Sequence, residues 1–361
     1  MASNRPQQRF RALIYSSTNS QTIPSLQELS LRALAKRGFF AVEAGQDDEW
    51  VVKAIRNNSP SCGDILTEAE WLLLEVVHGN QAVAEEMIKA NPLLLLESAS
   101  VIDYAGRVIE GTALQIALGA EDVRYHDNEE CMAEMIQRYL SQLPNGEEVM
   151  AAQIKMQFPD GWEVQEAERA KRDSDMLRNV IEAIRQSQTN DEAESSIQAF
   201  RDYLEVENKG EDVVFKTGKH FNIQLLVEAF KLYDAFGGWD GRQNNLFWRN
   251  VIGYIQRFLP ACYAQAFCQG VLYIVEGGEK LNRSLTFRFD RFDNAFVFFP
   301  LDSDPSFRLG FDCAMGAPNG SFRILPPARL ATTYVKQKTS TLREFTQRLD
   351  NNHAKTQCVV M

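Results

Sequence analysis

The chain has 361 residues, 45% of them hydrophobic, and a formal net charge of −11. That length allows two or three domains or one long helical array, and the acidic balance argues against a protein that holds nucleic acid by its phosphates. Six scattered cysteines with no CxxC pair suit free thiols in a reducing compartment better than a disulfide framework.

Residues 1–22 are polar and read as a flexible N-terminus; Met1 to Pro6 lacks the apolar core of a secretory signal. Ile23-Pro24-Ser25 starts a helix, with Ser25 as N-cap, Glu28 three residues on, and Leu26, Leu29 and Ala33 at helical spacing. Two similar units follow between Thr67 and Leu140. The first pairs Leu72–Asn80 with Ala84–Ile88, and the second pairs Thr112–Ala120 with Met132–Ile136. Gly79 and Gly119 lie 40 residues apart, while Met87 and Met135 lie 48 apart, so the second unit carries a longer polar loop around Tyr125–Asn128. Each unit reads as helix, turn, helix, with its glycine just past the first helix at a left-handed φ. A pair this small buries its apolar face only by stacking on a neighbour.

Gly111-Thr112-Ala113-Leu114-Gln115-Ile116-Ala117-Leu118 is similar to the start of an ankyrin repeat, with Gln115 where histidine is usual. The resemblance implies partner contacts on residues 67–140, with Thr112, Leu114, Gln115 and Gly119 as candidate interaction residues.

Residues 145–212 hold 17 acids against 8 bases and read as an acidic helical segment. Met150, Ile154 and Phe158 share one face; Met176, Val180, Ile181 and Ile184 a second; Ile197, Phe200, Tyr203 and Leu204 a third. Pro159-Asp160-Gly161 and Gln188–Asp191 are the expected breaks, and the acidic surface is read as a solvated face. Nine aromatic residues between Phe221 and Phe258 mark the main core, and Leu246, Val251, Ile255 and Leu259 continue a helical stripe. Phe258 to Val275 carries no charged side chain; Pro260, Gln265, Gln269 and Gly270 favour two buried helical segments over a membrane span. Leu285, Phe287 and Phe289 alternate with polar residues and can pair with Phe296–Phe299 as a β-hairpin. A last helix is expected from about Thr341 to Leu349, and residues 351–361 read as unordered. The fold class is therefore mainly α: ankyrin-like helical hairpins (23–144), an acidic helical segment (145–212), a helical core domain with a small β-hairpin element (213–327), and a basic tail (328–361).

The sharpest chemical signal is Cys358-Val359-Val360-Met361, which matches a CaaX box residue for residue. The cysteine thiolate attacks an isoprenoid, and a final methionine selects farnesyl. No cofactor is expected beyond that covalent lipid on Cys358, and a prenyltransferase is the implied partner. One chain anchors weakly and reversibly. The tail's six bases and two acids add some attraction to an anionic leaflet, although they are spread along the tail.

Enzyme signatures are sparse. Cys62 with His78 and Asp64 could form a thiol set, and a pocket in residues 215–325 holding Cys268 or His220 beside a carboxylate would suit a thiol- or transferase-type enzyme. The four histidines (His78, His126, His220, His353) share no metal-ligand spacing. Lys216-Thr217-Gly218-Lys219-His220 is basic and could touch a phosphate, or be an ordinary surface loop.

Gly119–Val123, Gln157–Glu163, Asp234–Asp240 and Pro300–Gly310 look like segments of a family of ankyrin-like effector proteins of Legionella-type intracellular bacteria. That resemblance implies secretion into a host cell, farnesylation there, and action at the cytoplasmic face of a host membrane as a protein-interaction module. It supplies no catalytic residues, and no F-box is evident.

Overall fold

The computed structural model describes residues 66–103, 105–159, 162–210, 213–285 and 327–359; the side chains of 162–166, 327 and 348–359 lie outside the description. The chain divides into residues 1–66 and residues 67–361, and every element below belongs to the second unit. The helix expected after Ile23 and the hairpin expected at Leu285–Phe299 lie outside the described residues.

Helix α1 (Glu68–Val77) starts at a reciprocal cap. The Glu70 amide donates to Thr67 Oγ1 at 3.2 Å, and the Thr67 amide donates to the Glu70 carboxylate at 2.7 Å. Gly79 turns the chain at φ +69 into α2 (Gln81–Ala90), which buries Ala84 and Ile88. After a 3-10 turn, Pro92–Leu96, strands β1 (Ala99–Ile102) and β2 (Val108–Gly111) pair antiparallel, Ala99 opposite Gly111. A second capping box, Thr112 with Gln115, opens α3 (Ala113–Gly119), and α4 (Met132–Leu140) completes the second unit. The α1–α2 pair stacks on the α3–α4 pair, α1 against α3 and α2 against α4.

The glycines do not play equal parts. Gly79 is left-handed as expected, but Gly119 is the last residue of α3, and Glu121 takes the left-handed position at φ +53. Among the described residues a small sheet forms that the sequence patterns did not indicate. It is completed by β3 (Val214–Phe215), parallel to β2, with Ile109 opposite Phe215. Four-residue strands carrying Ala99, Ser100, Glu110 and Gly111 show little β-propensity, which hid them.

The acidic segment is three helices: α5 (Gly146–Gln157), α6 (Trp162–Gln186) and α7 (Asn190–Lys209). The breaks fall at 158–161 and 187–189. Val180, Ile181 and Ile184 are buried, as are Ile197, Phe200 and Leu204, and α6 packs along α7. Helix α8 (Gln224–Phe236) crosses α6, and α9 (Gly241–Leu246) runs through a π-helical turn, Phe247–Ile252, into α10 (Gly253–Gln256). The uncharged stretch becomes α11 (Ala261–Gln269) and α12 (Val271–Val275), broken at Gly270 with φ +94. No described helix is long and apolar enough to cross a membrane.

Helix α13 (Pro327–Val359) has 33 residues where a helix of about Thr341–Leu349 and an unordered end were expected. No glycine or proline occurs from residue 328 to 359, so nothing local stops it. Leu330, Ala331, Tyr334, Val335, Leu342 and Phe345 are buried, and α13 packs on α5, α8 and α12. One apolar cluster joins Ala105, α6, α7, α8, the π turn, α11 and the start of α13. The fold is mainly α with a small β element.

Candidate functional site

Residues Gly119 to Val123 leave α3 and meet three segments distant in sequence. Glu121, 1% exposed, accepts from the Tyr263 hydroxyl at 3.1 Å and Thr339 Oγ1 at 3.3 Å and pairs with Lys219 at 2.8 Å. Asp122 accepts both arms of the Arg283 guanidinium, at 2.5 and 2.7 Å. Lys338 of α13 is buried and donates to the Val123 carbonyl at 2.6 Å. Glu121 and Arg283 both hold φ +53, a conformation that costs a residue with a β-carbon about 1 kcal/mol or more. Two carboxylates and three cations are thus gathered off solvent. Burial alone raises the Asp122 pKa; the bidentate Arg283 more than offsets it and holds the carboxyl below its ordinary value. The cluster fastens α13 and the Arg283 segment to the end of the second helix pair.

The thiols are held inert. Cys262 Sγ donates to the Ala120 carbonyl at 3.3 Å, and burial pushes its pKa up to about 12. Burial also carries the Cys131 thiol well above its ordinary value. Nucleophilic sulfur chemistry needs the thiolate, which neither supplies at neutral pH. Cys268 is buried in α11, His78 is buried at the C-terminal end of α1, and His126 Nε2 lies 3.0 Å from the Ile274 carbonyl. His220, 1% exposed, has its pKa pushed down to about 3 by burial and by the guanidiniums of Arg107 and Arg169. Cys62 and Asp64 lie outside the described residues. Among the described residues no three His, Cys, Asp or Glu side chains are grouped to hold a metal ion.

The four candidate interaction residues are all buried. Thr112 and Gln115 close the capping box, with the Thr112 amide donating to Gln115 Oε1 at 2.9 Å; Leu114 is fully buried in α3. A β-carbon on Gly119 would stand 2.2 Å from His220 Nε2, so this glycine is required by close packing rather than by its φ. These residues shape the helix, and a partner would meet the solvent-facing side chains beside them. Cys358 and Val359 fall in the last turn of α13 with their side chains outside the description, and Val360 and Met361 lie outside it altogether. Of the tail's bases, Lys338 is buried and so cannot face a membrane, and the exposed Arg329 pairs with Glu276.

Sequence patterns did not single out Arg283 or Lys338, because ion pairs between distant segments leave no periodicity. Gly119–Val123 stood out only through resemblance. Compared with family models, with curated proteins and with solved structures, the chain finds no match.

Proposed function

We propose that this chain is a protein-interaction module of a bacterial effector, farnesylated in a host cell on Cys358 and held on the cytoplasmic face of host membranes. The observation that carries the proposal is the Cys-Val-Val-Met ending, taken as the carboxyl terminus, at the far end of α13. The helix is rooted in the core through Tyr334, Lys338, Leu342 and Phe345, thirteen residues before Cys358. A lipid at that end would therefore confine the whole unit to a surface and raise its effective concentration for partners there. Presenting Cys358 to a transferase requires that the final helical turn fray, the least costly opening in a helix.

Residues 67–140, the stacked helix pairs, are the proposed partner-binding region. Buried, protonated thiols and a neutral buried His220 support a binding role over the thiol- or transferase-type alternative. A single isoprenoid gives reversible attachment, and with Lys338 engaged inside the protein and Arg329 neutralised by Glu276 at the surface the second signal falls to a protein partner.

Fractionation of eukaryotic cells expressing the chain, with and without a farnesyltransferase inhibitor, tests this. The untreated protein is expected in the membrane fraction and the treated protein in the supernatant. Equal distribution in both conditions contradicts the proposal.

A further inference from the structure

In the basic loop Lys216–His220 both lysines are paired, the exposed Lys216 with Glu110 at 2.9 Å and the buried Lys219 side chain with Glu121 at 2.8 Å. Its other end turns inward. Around the half-buried ring of Phe215 stand the Arg107 guanidinium at 6.0 Å, the Arg169 guanidinium at 5.9 Å and the His220 imidazole at 6.2 Å from its centre.

Arg107 is fully buried. It pairs with Asp103 at 2.5 Å and donates through Nη1 to the carbonyls of His220 at 3.2 Å and Phe258 at 2.8 Å. Arg169 has fewer partners. Its Nη2 donates to Asn208 Oδ1 at 3.3 Å, and its buried Nε has no partner among the described residues. Asp173, one turn along α6, already accepts from Tyr203 at 2.7 Å and Asn222 at 2.6 Å. His220 Nδ1 is likewise buried without a partner among the described residues. Both charges acting on the imidazole are positive, and burial together with Arg107 also lowers the Arg169 pKa. The Asp173 carboxylate partly offsets this for Arg169, but burial outweighs it, so the buried guanidinium gains from a further acceptor. Orphaned buried donors carry a further penalty until an acceptor meets them.

We propose that Arg169 and His220, backed by the charge of Arg107 and the ring of Phe215, bind a phosphoryl group. Its oxygens accept from Arg169 Nε–H and from Nδ1–H of the neutral His220 imidazole. A phosphoryl group suits donors on two separate elements, α6 and the 216–220 loop, because its charge is spread over several oxygens. Free phosphate, a phosphate monoester or the headgroup of an anionic lipid all carry that chemistry.

The test uses the full chain, titrated with inorganic phosphate at constant ionic strength, and separately with phosphatidylcholine vesicles with and without phosphatidic acid. The readouts are the His220 ring resonances and the thermal midpoint. Saturable movement of the ring signals with a rise in midpoint is expected. A response to free phosphate assigns a soluble ligand; a response only to the phosphatidic acid vesicles assigns a lipid headgroup. Arg169→Gln is expected to weaken binding at least tenfold, and Arg169→Lys, which keeps the charge but loses the planar fork, to weaken it less. Arg172→Gln, on the exposed side of the same helix, should leave it unchanged. Still His220 signals with both probes, or wild-type affinity in both Arg169 variants, would overturn the proposal.

Discussion

Gly119 carries no β-carbon because the His220 ring needs the space. The ring cannot swing away: it is fully enclosed, and the His220 amide donates to the Gly119 carbonyl at 2.8 Å. Gly119→Ala is therefore expected to destabilise the protein by about 1–3 kcal/mol, read from the denaturant midpoint, despite alanine's better helix propensity. An unchanged midpoint would show that the contact relaxes. His220 also carries a pH dependence. Its ordinary pKa of 6.5 falls to about 3 in the fold, so between those values the unfolded chain binds the extra proton. Stability is full above about pH 6.5 and is lost as pH falls toward 3, by about 1.4 kcal/mol per unit at most. His220→Gln should flatten the decline of the urea midpoint between pH 6.5 and pH 5. An identical decline in the variant would assign it to carboxylates instead.

Among the elements, what sequence patterns could show depended on where the signal resides. The breaks bounding α5, α6 and α7 were legible because proline, glycine and asparagine stop helices locally, and their apolar stripes face the core as the spacing predicts. The π turn left a trace as well: Leu246 to Val251 is a step of five residues in a stripe otherwise stepping by four. The tail misled because its charges resemble those of a solvated segment. Lys338 instead enters the core with its ammonium on the Val123 carbonyl and 5.6 and 5.9 Å from the ring centres of Tyr263 and Tyr334. Lys338→Met keeps the stem and removes the charge, leaving the Val123 carbonyl unpaired and the Glu121–Asp122 cluster short of a cation. A loss of about 3 kcal/mol in unfolding free energy is expected, with faster amide exchange along residues 328–345. Exchange unaltered in α13 would show that the apolar face alone holds the helix.

For the whole molecule, the class of fold was legible and the charged junction was not. Periodicity reports which face of a helix is buried but carries nothing about which distant carboxylate meets which guanidinium, and Asp122 and Arg283 lie far apart in sequence. The four residues picked out by repeat resemblance proved to be interior, since a repeat signature records how a unit packs. The functional account rests on the sequence Cys358-Val359-Val360-Met361 and on the burial that roots α13 in the core. Intact mass of the full chain purified from eukaryotic cells, beside Cys358→Ser, addresses it most directly. The account predicts that the wild type gains the mass of one farnesyl group and the variant gains none. A wild-type protein at its unmodified mass would contradict it.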